Sequence, residues 1–276
     1  MVFYLIALLS GAGLAVVGSL TFWPVTHWYD FYIPIVLFIA GLVAGFCIDW
    51  IFLDLSGRIT VKKGVKYDKA YKFNRWCLNS GLACIRRLAL ITCKVKGKNK
   101  MPKNRRFLLV CNHRSNFDNF LITDKLLFNT DAPFVTKGSN YKIPLAKFHM
   151  HKCLYEKIDR DDLLQSLQVM KTCEERIAND VCSYCIFPEG KRSKDGKVDQ
   201  FHEGVFGVAL KAKCPIVVCS LQGTEKIHKR YPLITRTKLN VIQVLEYEEF
   251  YSMTSKALAD QVREMIINDL EKQPLK

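Results

Sequence analysis

Residues 1–57 contain neither lysine nor arginine, and two apolar runs within them, 2–23 and 31–53, are separated only by the short stretch Pro24 to Asp30. Each run is long enough to cross a hydrocarbon core of ~30 Å as a helix rising ~1.5 Å per residue. Trp23, Trp28, Tyr29 and Tyr32 flank the break as an interfacial aromatic belt would. Gly41 and Gly45 form a G-x-x-x-G face that a second helix can approach closely. The pattern predicts a membrane helical hairpin. Asp49, near the end of the second run, leaves open a hairpin that enters one leaflet without crossing, and a hairpin buried in a soluble core is the third option. The first run lacks a basic flank and is followed at once by another, unlike a signal peptide.

Charge then changes abruptly. Residues 58–106 hold sixteen Lys/Arg against one acid, Asp68, whereas residues 107–276 hold 25 against 22. Nearly all of the net +15 therefore sits directly behind the apolar runs. A basic collar there marks the cytoplasmic side and attracts anionic lipid head groups. No nucleic-acid module accompanies it, so nucleic acid is not expected as a partner; a merely solvated basic face is the alternative. The division expected is a membrane-embedded hairpin at 1–57, a basic membrane-surface segment at 58–106, and an α/β domain at 107–276. The eleven cysteines include one C-x-x-C, Cys182 and Cys185, with no second pair. They read as buried hydrophobes in a reducing compartment, with no metal expected.

In the C-terminal part, apolar strand-like runs alternate with helical patterns, the signature of an α/β domain. Tyr67–Leu90 reads as an amphipathic helix suited to a membrane surface. Ile91–Lys96, Phe107–Cys111, Val181–Ile186, Ile216–Leu221 and Leu239–Leu245 read as strands, and Ser255–Glu271 as a helix. Just past the second strand comes His113-Arg114-Ser115-Asn116-Phe117-Asp118. A histidine with a carboxylate five residues on can serve as a general base held by an acid. Ser115-x-x-Asp118 also resembles a capping box opening a helix that runs to Leu127, which would give Asp118 a purely structural role. Positions five apart point about 140° away from each other on a helix, so His113 has to sit on the turn before it. Past Val181–Ile186 comes Phe187-Pro188-Glu189-Gly190, where Pro188 and Gly190 force a turn and leave Glu189 at a strand end. Lys191, Arg192 and Lys194 follow, cations suited to a phosphate.

These blocks resemble those of the glycerophospholipid acyltransferases, most closely the 1-acylglycerol-3-phosphate acyltransferase branch. Asn112 to Asp118 resembles the family's N-H-x4-D block, and Ile158-Asp159-Arg160 its second block, whose arginine is implicated in phosphate binding. Phe187 to Ser193 resembles the third, and Cys214-Pro215-Ile216-Val217-Val218 the fourth. Phe134 to Lys137 and Lys142-Ile143-Pro144 resemble the segment between the first two. Glu156-Lys157 stand where apolar residues are usual, which puts a local strand there in doubt. Lys191 stands where threonine is common.

The resemblance implies a central mixed sheet flanked by helices behind the membrane hairpin. It implies transfer of a fatty acyl group from acyl-CoA or acyl carrier protein to the free hydroxyl of lysophosphatidic acid, with membrane lipid as the medium. No cofactor is implied. His113 would be the base and Asp118 its orienting acid. Arg160, Lys191 and Arg192 would hold the phosphate. Glu189 and Gly190 would shape the substrate turn, with Glu189 orienting the glycerol or the cations. Lys137 is a candidate oxyanion donor, and Pro215 would shape the acyl channel. Rival readings are another lysophospholipid as acceptor, a hydrolase using Ser115 as nucleophile, and a catalytically silent protein that binds anionic lipid.

Overall fold

The computed structural model describes residues 2–62, 65, 67–193 and 196–272. The chain divides into two compact units, Met1–Val65 and Lys66–Lys276. The first is a helical hairpin of α1 (Val2–Thr21) and α2 (Tyr32–Thr60). Both helices are long and apolar enough to cross a membrane. Their close approach depends on small residues: a Cβ added at Gly41 would lie 2.5 Å from the Ser10 carbonyl oxygen, and one at Gly45 would lie 2.6 Å from the Ala7 Cα. Helix α2 continues past the predicted residue 53, through an Asp54–Arg58 ion pair of i,i+4 spacing at 2.5 Å.

The second unit begins with α3 (Lys72–Leu88) and β1 (Ile91–Lys96). The division thus falls later than the 57/58 boundary read from charge, and the basic stretch is no separate segment: β1 is hydrogen-bonded into the main sheet. Apolar positions on α3 and β1 override their charge, because Cys77, Leu78, Ala83 and Ile91 are buried.

The main sheet continues with β2 (Leu108–Cys111), β5 (Tyr184–Ile186), β6 (Ile216–Gln222) and β7 (Thr235–Leu245), in the order β1-β7-β6-β2-β5. Strands β5, β2 and β6 are parallel, and β7 runs antiparallel to β6, so the sheet is mixed as expected. Every residue of β2, β5 and β6 is buried, as befits strands covered on both faces. A two-stranded parallel sheet, β3 (Val135–Lys137) with β4 (Glu156–Ile158), joins the edge of β5 through a parallel bridge between Phe134 and Cys185. Strand β4 forms despite Glu156 because Arg176 meets that carboxylate at 2.5 Å and also donates to the Tyr184 hydroxyl at 2.6 Å. The helices not yet named include α4 (Asp118–Ile122), α6 (Leu163–Ala178) and α7 (Glu203–Ala212), which pack on these sheets, α5 (Pro144–Lys152), which packs against α3, and a C-terminal helix at Ser255–Lys272. Nine of the eleven cysteines are buried, and desolvation pushes the Cys153 and Cys214 thiols up to about 12.

Candidate active site

Strand β2 ends at Cys111, and the next residue fastens its end. The Asn112 side chain donates to the Leu221 carbonyl at 3.0 Å and accepts the Leu221 N–H at 2.8 Å. This amide extends the β2–β6 ladder by one rung after the backbone has left it, so His113 leaves the sheet from a fixed point.

The His113 ring is held on two sides. Its Nδ1 lies 2.7 Å from Asp118 Oδ2, and its plane stacks on Phe187 with centroids 4.2 Å apart and 11° between planes. A carboxylate oxygen can only accept, so Nδ1 carries a hydrogen, and in the neutral ring the lone pair lies on Nε2. The same Oδ2 accepts the Arg114 N–H at 2.6 Å and the Ser115 N–H at 2.8 Å. Asp118 is completely buried. His113 remains partly accessible, its side chain 16% exposed, which is what a group that must meet substrate requires.

The capping box forms by half. Asp118 returns to the Ser115 N–H, but the Ser115 hydroxyl accepts from Phe117 N at 3.3 Å rather than from Asp118. The helix accordingly starts at Asp118, and residues Thr123–Leu127 widen into a π turn instead of continuing it. Ser115 is buried and occupied in this turn, which does not suit a nucleophile.

Glu189 holds two backbone N–H groups. Its Oε1 accepts the His113 backbone N–H at 2.7 Å, its Oε2 accepts the Asp199 N–H at 3.1 Å, and only 2% of the residue is exposed. Burial raises its carboxyl above the ordinary value, and the two backbone bonds only partly oppose this. It braces the backbone that carries His113. Gly190 closes the turn at φ +67°, its N–H donating to the Phe187 carbonyl at 3.1 Å. Ser193 N–H then donates to the His113 carbonyl at 2.9 Å, so the third block clasps the first from both sides.

The cations sort into three groups. Arg160 and Arg192 are exposed and near enough to interact; partial enclosure first, and the Arg192 charge second, pull the Arg160 guanidinium below its usual value. Two guanidiniums close enough to feel each other's charge suit an anion. Lys191 instead lies 3.3 Å from Asp199. Lys137 is exposed at the end of β3, in register with Ile158, and so stands on the Arg160 side of the site. Lys194 lies outside the described residues.

Pro215 stands apart from the other candidates. Its carbonyl accepts the Leu108 N–H at 3.0 Å at the start of β2, and the parallel register of β2 with β6 sets it at the opposite end of the sheet from His113. At ~3.3 Å per residue that separation is about 20 Å, so Pro215 starts a core strand well away from His113. The sequence reading also missed two groups. Asn112 and Phe187 belong to the quoted blocks, but their roles emerge only when strands distant in sequence are laid side by side.

A histidine held on a buried acid thus stands at the carboxyl end of parallel strands, an arrangement suited to general-base chemistry. Residues 92–222, a little under half of the chain, match the model of the Acyltransferase family. The chain is 29% identical over 164 residues to a 1-acyl-sn-glycerol-3-phosphate acyltransferase of Chlamydomonas reinhardtii, covering 58% of this chain and 48% of that protein. It is likewise 29% identical over 163 residues to the chloroplastic 1-acyl-sn-glycerol-3-phosphate acyltransferase BAT2 of Brassica napus, covering 58% and 45%. The chain thus spans about half the length of these relatives. Its fold is that of the 1-acyl-sn-glycerophosphate (LPA) acyltransferase PlsC from Thermotoga maritima, with a TM-score of 0.60 at 19% identity over 100% of this chain and 99% of that one.

Proposed function

We propose that the protein transfers a fatty acyl group from an acyl thioester to the free hydroxyl of 1-acylglycerol-3-phosphate, giving phosphatidic acid at a membrane. The observation that carries this reading is the 2.7 Å bond from His113 Nδ1 to buried Asp118, which leaves Nε2 as the base. The substrate hydroxyl gives its proton to Nε2 while its oxygen attacks the thioester carbonyl. Asp118 steadies the imidazolium so formed. As the tetrahedral adduct collapses, the carbon–sulfur bond breaks and the proton passes from Nε2 to the leaving thiolate. Arg160 and Arg192 seat the phosphate. Glu189 and Phe187 hold the histidine in place.

The test is to incubate membranes bearing the full chain with lysophosphatidic acid and either acyl-CoA or acyl carrier protein thioester. Phosphatidic acid is expected from the native protein, and His113→Ala is expected to lose activity by about 10²–10⁴-fold. No product with either donor overturns the proposal, and undiminished activity in His113→Ala overturns the assigned base. A parallel set of other lysophospholipids decides the acceptor.

A further inference from the structure

The segment Lys226 to Lys238 carries five Lys/Arg and no acid. It spans the turn between β6 and β7. Its two ends are anchored, since Ile227 is 2% exposed and Thr235 is 1% exposed. Between them the chain protrudes: Tyr231, Leu233 and Ile234 are 60%, 65% and 56% exposed, and His228, Lys229 and Arg230 are exposed beside them. The protrusion is a built turn, with Tyr231 N–H donating to the Ile227 carbonyl at 3.1 Å and Leu233 N–H to the Arg230 carbonyl at 2.7 Å.

Its location matters. Strand β7 is antiparallel to β6, with Lys238 opposite Gln222, so the turn lies beyond the carboxyl end of β6. That is also the end at which β2 delivers His113. Two contacts tie the turn to the catalytic motif: the His228 ring lies 5.4 Å from the Phe117 ring, and Glu225 pairs with Arg114 at 3.6 Å. Exposed Leu88 and Leu90 border it, because the Leu90 carbonyl accepts the Thr235 N–H at 3.0 Å. The same end of the small sheet leads into α6, where Leu163 and Leu164 are 72% and 79% exposed.

We infer that the turn at 226–236 is a docking surface for an anionic phospholipid bilayer, set at the rim of the active site. Cations with no acid among them answer anionic head groups, and the apolar tips beside them answer the acyl boundary beneath. An acidic carrier protein would satisfy the cations but would leave Leu233 and Ile234 without purpose. The consequence is that a lipid acceptor reaches His113 from the leaflet without first leaving it. That consequence rests on the acyl-transfer reading; the docking itself does not.

Hydroxyl-radical footprinting of the full chain in vesicles tests it. Labelling of Tyr231, Leu233 and Ile234 is expected to fall when phosphatidylcholine vesicles are replaced by vesicles that also contain phosphatidylglycerol. Equal labelling in the two overturns the proposal, and so does protection that appears only on adding acyl carrier protein. Kinetics give the second arm. In Lys229→Gln/Arg230→Gln and in Leu233→Ser/Ile234→Ser, the apparent KM for vesicle-borne lysophosphatidic acid is expected to rise about tenfold, while turnover of dispersed short-chain substrate stays unchanged. An equal change in both assays, or none in either, overturns it. Footprinting needs no turnover, so failure of docking and failure of the acyl-transfer reading are told apart.

Discussion

Two buried carboxylates serve one histidine, and they hold it by different handles. Asp118 gathers all three of its N–H donors on a single oxygen, one of them the His113 ring. Glu189 spends one oxygen on the His113 backbone and the other on Asp199, seventy-six and ten residues away in sequence. In the proposed mechanism the first acid touches the group that changes charge. The second touches only the frame that carries it. Both are nearly inaccessible, so burial alone does not tell a catalytic acid from a brace; the atom that each one contacts does.

Substitutions sharpen the contrast, from largest effect to smallest. Asp118→Asn keeps an acceptor for the neighbouring N–H groups but removes the charge that steadies the imidazolium, and kcat should fall by about 10³–10⁴-fold in the membrane assay. Glu189→Gln leaves the ring contact intact and turns one accepting oxygen into a donor. It should lower kcat by roughly ten- to a hundredfold through misplacement of the base, and cost about 1–3 kcal/mol of stability from the unmatched donors. An Asp118 variant milder than the Glu189 variant would reverse the assignment of roles.

The brace also has a pH signature. Its carboxyl is raised from 4.5 in the folded chain, chiefly by burial. The folded state therefore holds this proton more tightly than the unfolded state does. Wild type should gain stability relative to Glu189→Gln as pH falls through the raised folded value toward 4.5, and gain nothing further below it. Thermal unfolding of both proteins across that window measures this, and a flat difference would remove Glu189 from its buried bonds. Gly190→Ala should cost about 1–2 kcal/mol, because an L side chain is unfavourable at positive φ. Its Cβ would also meet the His202 ring at 2.9 Å, which is the tip of a movable side chain. Pro215→Ala, at the far end of the sheet, should leave kcat/KM within about twofold and lower stability by no more than about 1 kcal/mol through chain entropy. A large kinetic defect there would break the picture of one active end.

Much of this was readable from local pattern. The bounds of β1, the hairpin glycines and the pairing of His113 with Asp118 all concern residues close in sequence or repeating with a helical or strand period. What was not readable depended on distant partners. Glu156 looked out of place in a strand until Arg176 and Tyr184 came alongside it. Nothing in Glu189's own block points to the His113 N–H, which lies 76 residues away in sequence. Pro215 was placed by its likeness to a block, whereas its position depends on the register of β6 against β2. The start of α4 shifted because Ser115 spends its hydroxyl one residue earlier than a capping box requires.

The Asn112 amide carries one further consequence. By taking a place in the ladder beside Leu221, it makes the residue before the base a member of the sheet's most enclosed layer. Such layers are among the last parts of a protein to open. Heat should therefore not disarm the proposed active site by loosening its centre first: the proposed activity should persist up to the melting of the whole domain and vanish with it, and Asn112→Ala should uncouple the two, letting activity fade at temperatures where the fold still stands.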